Sequence, residues 1–201
     1  MHAQSNPAVR EVRRQLFHCA LGLVIALGVF YGVLGAFHLL ALLAAGALIS
    51  FASTRMRVPV IAWFLDRFER PENEKMPGKS VLFYVGGVAL VLLLHFPSDI
   101  AVASIMVLAV GDSVSHLVGR FWGRTPSPLS SSKLLEGFLC GAAASFIAAV
   151  AFVPPLEALL ASVAAMAAES LEIRLRESTM DDNLTVPLVA ASVMMLVRVL
   201  G

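Results

Sequence analysis

The chain has 201 residues, of which 58% are hydrophobic and only 14% charged, with a mean hydropathy of +0.82. Soluble domains carry roughly 25% charged residues, so this composition excludes an ordinary soluble fold and points to an all-α bundle of membrane-spanning helices. The net charge of +1 names no partner class, nucleic acid included, and the length needs no more than a single domain over residues 1–201.

Residues 1 to about 15 are polar and basic, and Leu16 to Thr54 then contains no Lys, Arg, Asp or Glu. That run is about twice the ~20 residues that cross a bilayer, so two helices are expected, broken at Tyr31-Gly32-Val33-Leu34-Gly35. The first run is long, follows Arg10, Arg13 and Arg14, and shows no clear cleavage site, so no cleavable signal peptide is expected. Arg55 to Lys79 is a polar loop whose first part, Val58 to Phe68, has near-helical apolar spacing and suits a helix lying on the membrane surface.

Ser80 to Pro97 reads as a third span, and Ile100 onward as a fourth that ends near Gly111-Asp112. Gly123 to Lys133 is a loop with Pro126 and Pro128; a fifth span follows from about Gly137 to Val153. Pro154-Pro155 turns the chain into a sixth span, Leu156 to about Ala168. Glu169 to Asn183 is polar, and Leu184 to Leu200 makes a seventh. Cys19 and Cys140 both fall in apolar runs without metal-ligand spacing and are expected to be buried packing residues.

Basic residues concentrate in loops retained on the cytoplasmic side. With seven spans and the N-terminus inside, every Lys and Arg except Arg198 falls on that side, while Asp99 and Glu157 face the other. The residues able to do chemistry then face the cytoplasm, where nucleotides are.

Those residues gather between Gly111 and Gly137, where Asp112, His116, Arg120, Arg124, Lys133 and Glu136 alternate with Gly111, Gly119, Gly123 and Gly137. Glycines allow backbone to approach phosphates, cations neutralise them, and a carboxylate can hold Mg²⁺. The pattern therefore suits a metal–triphosphate site at a membrane face. Asp112, His116 and Arg120 are four apart and share a helical face. The Gly-Arg pairs at 119–120 and 123–124 also suit close helix packing, but with Lys133 and Glu136 following, phosphate binding is the stronger reading. There is no GxxxxGK[ST], which argues against a P-loop.

Glu169, Glu172 and Arg176 share one face at the inner end of the sixth span. Asp181-Asp182-Asn183 stands ahead of the seventh, where Asp182 or Asn183 suits either a helix cap or a second metal or base cluster. Arg14 and His18 sit four apart at the inner mouth of the first span.

Gly111-Asp112-Ser113-Val114-Ser115, Gly119-Arg120, Gly123-Arg124, Lys133-Leu134-Leu135-Glu136-Gly137 and Asp182-Asn183-Leu184-Thr185-Val186-Pro187 together resemble the CTP-dependent lipid-alcohol kinases. That family includes dolichol, phytol and CTP-dependent diacylglycerol kinases. Arg13-Arg14-Gln15-Leu16-Phe17-His18 is similar to the family's basic-then-His opening, so the likeness spans most of the chain. It departs at Leu134, where Ser or Thr is usual, and at Ser115, where a small apolar residue is commoner.

The resemblance implies Mg²⁺-assisted transfer of the γ-phosphoryl group of CTP to the hydroxyl of a membrane lipid such as polyprenol, phytol or diacylglycerol. It implies metal ligation by Asp112 and Asp182, and nucleotide contacts from Gly111, Ser115, Gly119, Arg120, Gly123, Arg124, Lys133, Gly137 and Asn183. Glu136, Glu169 or Asp182 would orient the alcohol or take its proton, and Arg14, His18 and Glu172 fall on the substrate side. The central motif is also similar to that of CTP-using cytidylyltransferases, whose C-terminal Lys-Asp and Gly-Gly-x-Asp-Arg signature is missing here. A small transporter would instead place its ionisable groups at the bilayer midplane.

Overall fold

The computed structural model describes residues 7–56, 59–68, 76–128, 130, 133–171, 174–175, 178–179 and 181–201. It is a helical bundle, and the break expected after residue 30 is there: α1 (Pro7–Phe30) ends in a tight turn with Gly32 at φ +69°, and α2 (Ala36–Ser53) follows. A short helix, α3 (Pro59–Phe68), occupies the start of the polar loop, and α4 (Lys79–Leu93) runs up from it.

The fourth apolar run differs from expectation. It does not end at Gly111-Asp112. α5 (Ser98–Met106) passes into a π-helical turn (Val107–Asp112) and continues as α6 (Ser113–Trp122), giving one 25-residue helix. Gly111 and Asp112 look like a break in sequence, but a π turn accommodates an extra residue without ending the helix, and such turns are frequent at functional sites. α7 (Leu135–Ala149), α8 (Pro155–Ser170) and α9 (Asp182–Leu200) complete the bundle. The only extended pairings among the described residues are a two-residue ladder, Arg174–Leu175 with Ser178–Thr179, and a bridge between Pro126 and Leu134.

The Ser98–Trp122 helix is the axis of the molecule, in contact with α1, α7, α8 and α9. Its buried residues include small ones, Ala101, Ala103, Ser104 and Ala109, beside Ile100, Ile105 and Leu108, and Ser145 of α7, Ala161 and Ala165 of α8, and Ala190 of α9 are buried too. Small side chains let helix backbones approach where lipid supplies no hydrophobic drive between helices. Gly111 belongs to this packing. A Cβ there would collide with the Ser145 hydroxyl and lie 3.3 Å from Met166 Cε, so the position serves close helix contact.

The outside of the bundle is apolar: Phe37, Leu48, Ile147 and Val199 are each more than two-thirds exposed. Four helices, Pro7–Phe30, Ala36–Ser53, Ser98–Trp122 and Asp182–Leu200, are long and apolar enough to cross a membrane; α4 and α7, at 15 residues each, are shorter apolar helices. Together these features describe an integral membrane protein. Cys140 corrects its expectation, for it is exposed on α7 while Cys19 is half-buried. In a bundle whose exterior is itself apolar, an apolar run does not tell the buried face from the outer one.

Candidate active site

The π turn brings Asp112 into the interior, and its carboxylate is almost wholly buried. One turn on, His116 Nε2 lies 3.3 Å from Asp112 Oδ1, 3.5 Å from Asp182 Oδ2 and 3.9 Å from Glu169 Oε1. From α1, His18 Nε2 approaches Asp112 Oδ2 at 3.5 Å. His116 is thus the hub, linking α6 to the last turn of α8 and the first turn of α9.

Glu169 is buried and receives two donors on one oxygen. Lys133 Nζ donates to Oε1 at 2.6 Å, and Ser115 Oγ donates to the same atom at 3.3 Å. Burial works against the lysine's charge, but the carboxylates of Glu169, Asp112 and Asp182 outweigh it and hold its pKa above the ordinary lysine value. Asp181 caps α9: its Oδ1 accepts the Asn183 backbone N–H at 3.2 Å and the Asn183 side-chain amide at 2.8 Å. The cap residue is therefore Asp181 and not Asp182 or Asn183; Asp182 Oδ1 also accepts the Asn183 N–H, at 3.1 Å, while its Oδ2 faces His116. Burial and the neighbouring Asp182 push the Asp181 carboxyl upward.

Two buried carboxylate oxygens, Asp112 Oδ1 and Glu169 Oε2, accept no well-aligned hydrogen bond among the described residues, the first having the His116 imidazole beside it at 3.3 Å. Donor atoms of Asp112, His116 and Glu169 all lie within 4.8 Å of one another. Orphaned hard oxygens at that spacing fit a divalent cation. Mg²⁺ takes oxygen ligands in preference to imidazole, so the pair that fits it best is Asp112 with Glu169. Asp182 of the expected pair, Asp112 with Asp182, is not in that group, though its Oδ2 lies 3.5 Å from His116 Nε2.

Two cavities meet at His116. The first, about 270 Å³, is lined by Ser115, Gly119, Arg120, Lys133, Gly137 and Glu169 among others. Gly119 and Gly137 make the crossing of α6 and α7 close: a Cβ on Gly137 would lie 2.7 Å from the Ser115 carbonyl oxygen and 3.1 Å from Gly119 Cα. The second cavity is bounded by α1, α3 and α4 and reaches Asp112, Asp182 and Asn183.

Most expected residues converge here, but several do not. Glu136 is held by Thr125, whose backbone N–H lies 3.1 Å from Oε1 and 3.2 Å from Oε2 and whose hydroxyl donates to Oε1 at 2.8 Å; the glutamate ties the 123–133 loop to α7 and lines neither cavity. Arg124 is exposed and also lines neither. Gly123 packs on Leu134 and the Gly119 carbonyl. Arg14 lines the second cavity but is paired with Glu11 at 2.6 Å. Glu172 and Arg176 lie outside the described residues. Tyr84, from the middle of an apolar helix, is a cavity residue that sequence reading missed; its one signal is that the chain has only two tyrosines.

No family model matches the chain, and no solved structure does. Curated proteins do. CTP-dependent diacylglycerol kinase 1 of Schizosaccharomyces pombe is 31% identical over 143 residues, 63% of this chain and 63% of its own length. Farnesol kinase, chloroplastic, of Arabidopsis thaliana is 31% identical over 128 residues, 56% of this chain and 41% of its own length. An uncharacterised protein of Methanocaldococcus jannaschii is 26% identical over 191 residues, covering 91% of this chain and 92% of that one. The match thus spans less than two thirds of either named kinase. These similarities agree with the motif resemblance: the chain is similar to proteins named as lipid-alcohol kinases, one of which is named as CTP-dependent.

Proposed function

We propose that residues 1–201 form a single membrane-embedded kinase domain that transfers the γ-phosphoryl group of CTP to the hydroxyl of a lipid alcohol. The observation that carries the reading is the buried Asp112–His116–Glu169–Lys133 cluster with a cavity on each side of it. One cavity has the glycines and cations that suit a triphosphate; the other has an apolar wall. The named relatives act, by their names, on diacylglycerol and farnesol, and one is named as CTP-dependent.

Phosphoryl transfer needs positioning and charge neutralisation more than covalent chemistry by the protein. In this reading Lys133 and Arg120 neutralise the phosphates, and the Gly119–Gly137 crossing lets backbone lie close to them. Asp112 and Glu169 would hold Mg²⁺, which supplies charge neutralisation at the phosphate oxygens. The acceptor oxygen bonds to the γ-phosphorus as the bond to the bridging β-γ oxygen breaks, and CDP leaves with that electron pair. The acceptor proton passes to Asp182, the cluster carboxylate with the most exposed side chain at 30%, relayed by or shared with His116. The basic loops argue for seven spans, with this cluster on the cytoplasmic side.

The test uses detergent-purified protein, Mg²⁺, a panel of lipid alcohols, and CTP labelled at either the γ- or the α-phosphate. The expected result is label in lipid from the γ position alone. Label arriving from the α position would make the protein a cytidylyltransferase, and movement of neither label, with ATP also inactive, would overturn the kinase reading.

A further inference from the structure

The second cavity is unlike the first in both wall and floor. Its wall is aromatic: Phe17 of α1 stacks with Phe64 and Phe68 of α3 at centroid distances of 5.0 and 5.1 Å, and those two rings are 4.8 Å apart. All three are half-buried, with ring surface still open to the slot. Its floor is polar and unsatisfied. Three residues lining it, His18, Tyr84 and Asn183, each carry a buried polar atom that makes no hydrogen bond among the described residues.

Such atoms are uncommon in native proteins, and each costs roughly 1–3 kcal/mol if left unpaired. Tyr84 is the plainest case. It is 1% exposed, its ring stands edge-on to His18 at 4.5 Å, and its hydroxyl has no partner. Gly22 of α1 makes room for that hydroxyl, since a Cβ there would collide with it. A phenol placed only for packing would be better replaced by phenylalanine. A ligand hydroxyl, donor and acceptor at once, would satisfy the phenol and the imidazole together.

Resting on the kinase reading, we propose that this slot is the acceptor site: the hydrocarbon chain lies against Phe17, Phe64 and Phe68, and the alcohol oxygen sits between Tyr84 and His18, facing Asp112. Tyr84 is then an acceptor-binding residue and α3 is the wall that reads the chain. The arrangement separates the two substrates, because among the described residues none of α1, α3 or α4 lines the Lys133 cavity.

The experiment pairs kinetics with a labelling that needs no transfer. Tyr84→Phe, which removes one oxygen, is expected to raise KM for the alcohol about tenfold, the cost of one hydrogen bond to a ligand, and to leave KM for CTP unchanged. Phe64→Ala is expected to flatten the dependence of KM on alcohol chain length. In parallel, a long-chain alcohol bearing a tail diazirine is photolysed with wild-type protein in micelles without nucleotide, and the labelled peptides are mapped. Adducts on α1, α3 and α4 that excess unlabelled alcohol suppresses support the slot. Adducts elsewhere, an unchanged alcohol KM in Tyr84→Phe, or a raised KM for CTP would overturn it. If the slot is labelled but no phosphate moves, the acceptor site stands and the kinase reading falls; if phosphate moves but the slot is bare, the reverse holds.

Discussion

Two charged clusters sit in this greasy chain, and they are built on opposite principles. Helices α8 and α9 contribute to both. Glu157 and Arg198 stand at one end of them, Glu169 and Asp182 at the other, separated by about 18 Å along α8 and about 24 Å along α9 at 1.5 Å per residue. At the first end Arg198 is bidentate on Glu157, at 3.0 and 2.7 Å, and also reaches Asp99 at 2.7 Å. Both carboxylates are met, and the fork suits its partners. At the other end Lys133 meets one oxygen of Glu169, Glu169 Oε2 has no donor among the described residues, Asp112 Oδ1 faces the His116 imidazole at 3.3 Å, and two cavities open. A cluster that satisfies itself holds helices together. One that leaves a buried acceptor bare needs something from outside.

The sharpest way to break that comparison is Asp112→Ala. Removing a buried carboxylate that would hold the phosphate counter-ion is expected to lower kcat by roughly 10³-fold, measured as phosphate transferred to lipid at saturating CTP. Near-wild-type turnover would take Asp112 out of the reaction.

Lys133→Met comes next, because it strips the nearest charged partner, 2.6 Å away, from a buried glutamate. A loss of about 3–5 kcal/mol in unfolding free energy is expected, together with a raised KM for CTP; Lys133→Met/Glu169→Gln should recover stability but not activity. The pH dependence has a definite sign. The folded pKa of Lys133 is raised, so the pair's stabilisation is present in full below the ordinary lysine value and disappears as pH climbs through the higher folded value. Thermal denaturation followed from neutral to strongly alkaline pH should show the loss only at the alkaline end, and only in protein that retains Lys133.

Gly137→Ala tests the backbone crossing. Its Cβ would press on the Ser115 carbonyl and Gly119, so α6 and α7 must part, at about 1–3 kcal/mol, with KM for CTP rising more than KM for the alcohol. Smallest is Arg198→Met at the satisfied end. Thermal stability should fall while both KM values stay within about twofold, the change expected of a site that holds structure alone.

The helix breaks were legible because charge-free runs stand out against basic loops: the turn after Phe30, the Pro154-Pro155 corner and the polar loop helix all lie where composition points, while four of the seven expected spans are helices of spanning length among the described residues. The cluster was legible for the same reason, since Asp112, Lys133, Glu169 and Asp182 are rare charges in an apolar chain. Three features were not. The π turn has no residue signature, so a helix that continues through Gly111-Asp112 reads as one that stops. The bond from Thr125 to Glu136 depends on how the loop folds back, which spacing does not encode. The aromatic slot is made of Phe17, Phe64, Phe68 and Tyr84. In a chain where apolar residues face the bundle, the outside and the cavity alike, nothing in their type tells which they do.

The most direct measurement is γ-labelled phosphate transfer from CTP to lipid alcohol, run side by side for wild type, Asp112→Ala and Arg198→Met at matched amounts of folded protein. Transfer by wild type and Arg198→Met, with none above background from Asp112→Ala, is the predicted result. Equal transfer by all three, or loss in Arg198→Met with retention in Asp112→Ala, would contradict the assignment of the reaction to the unsatisfied cluster.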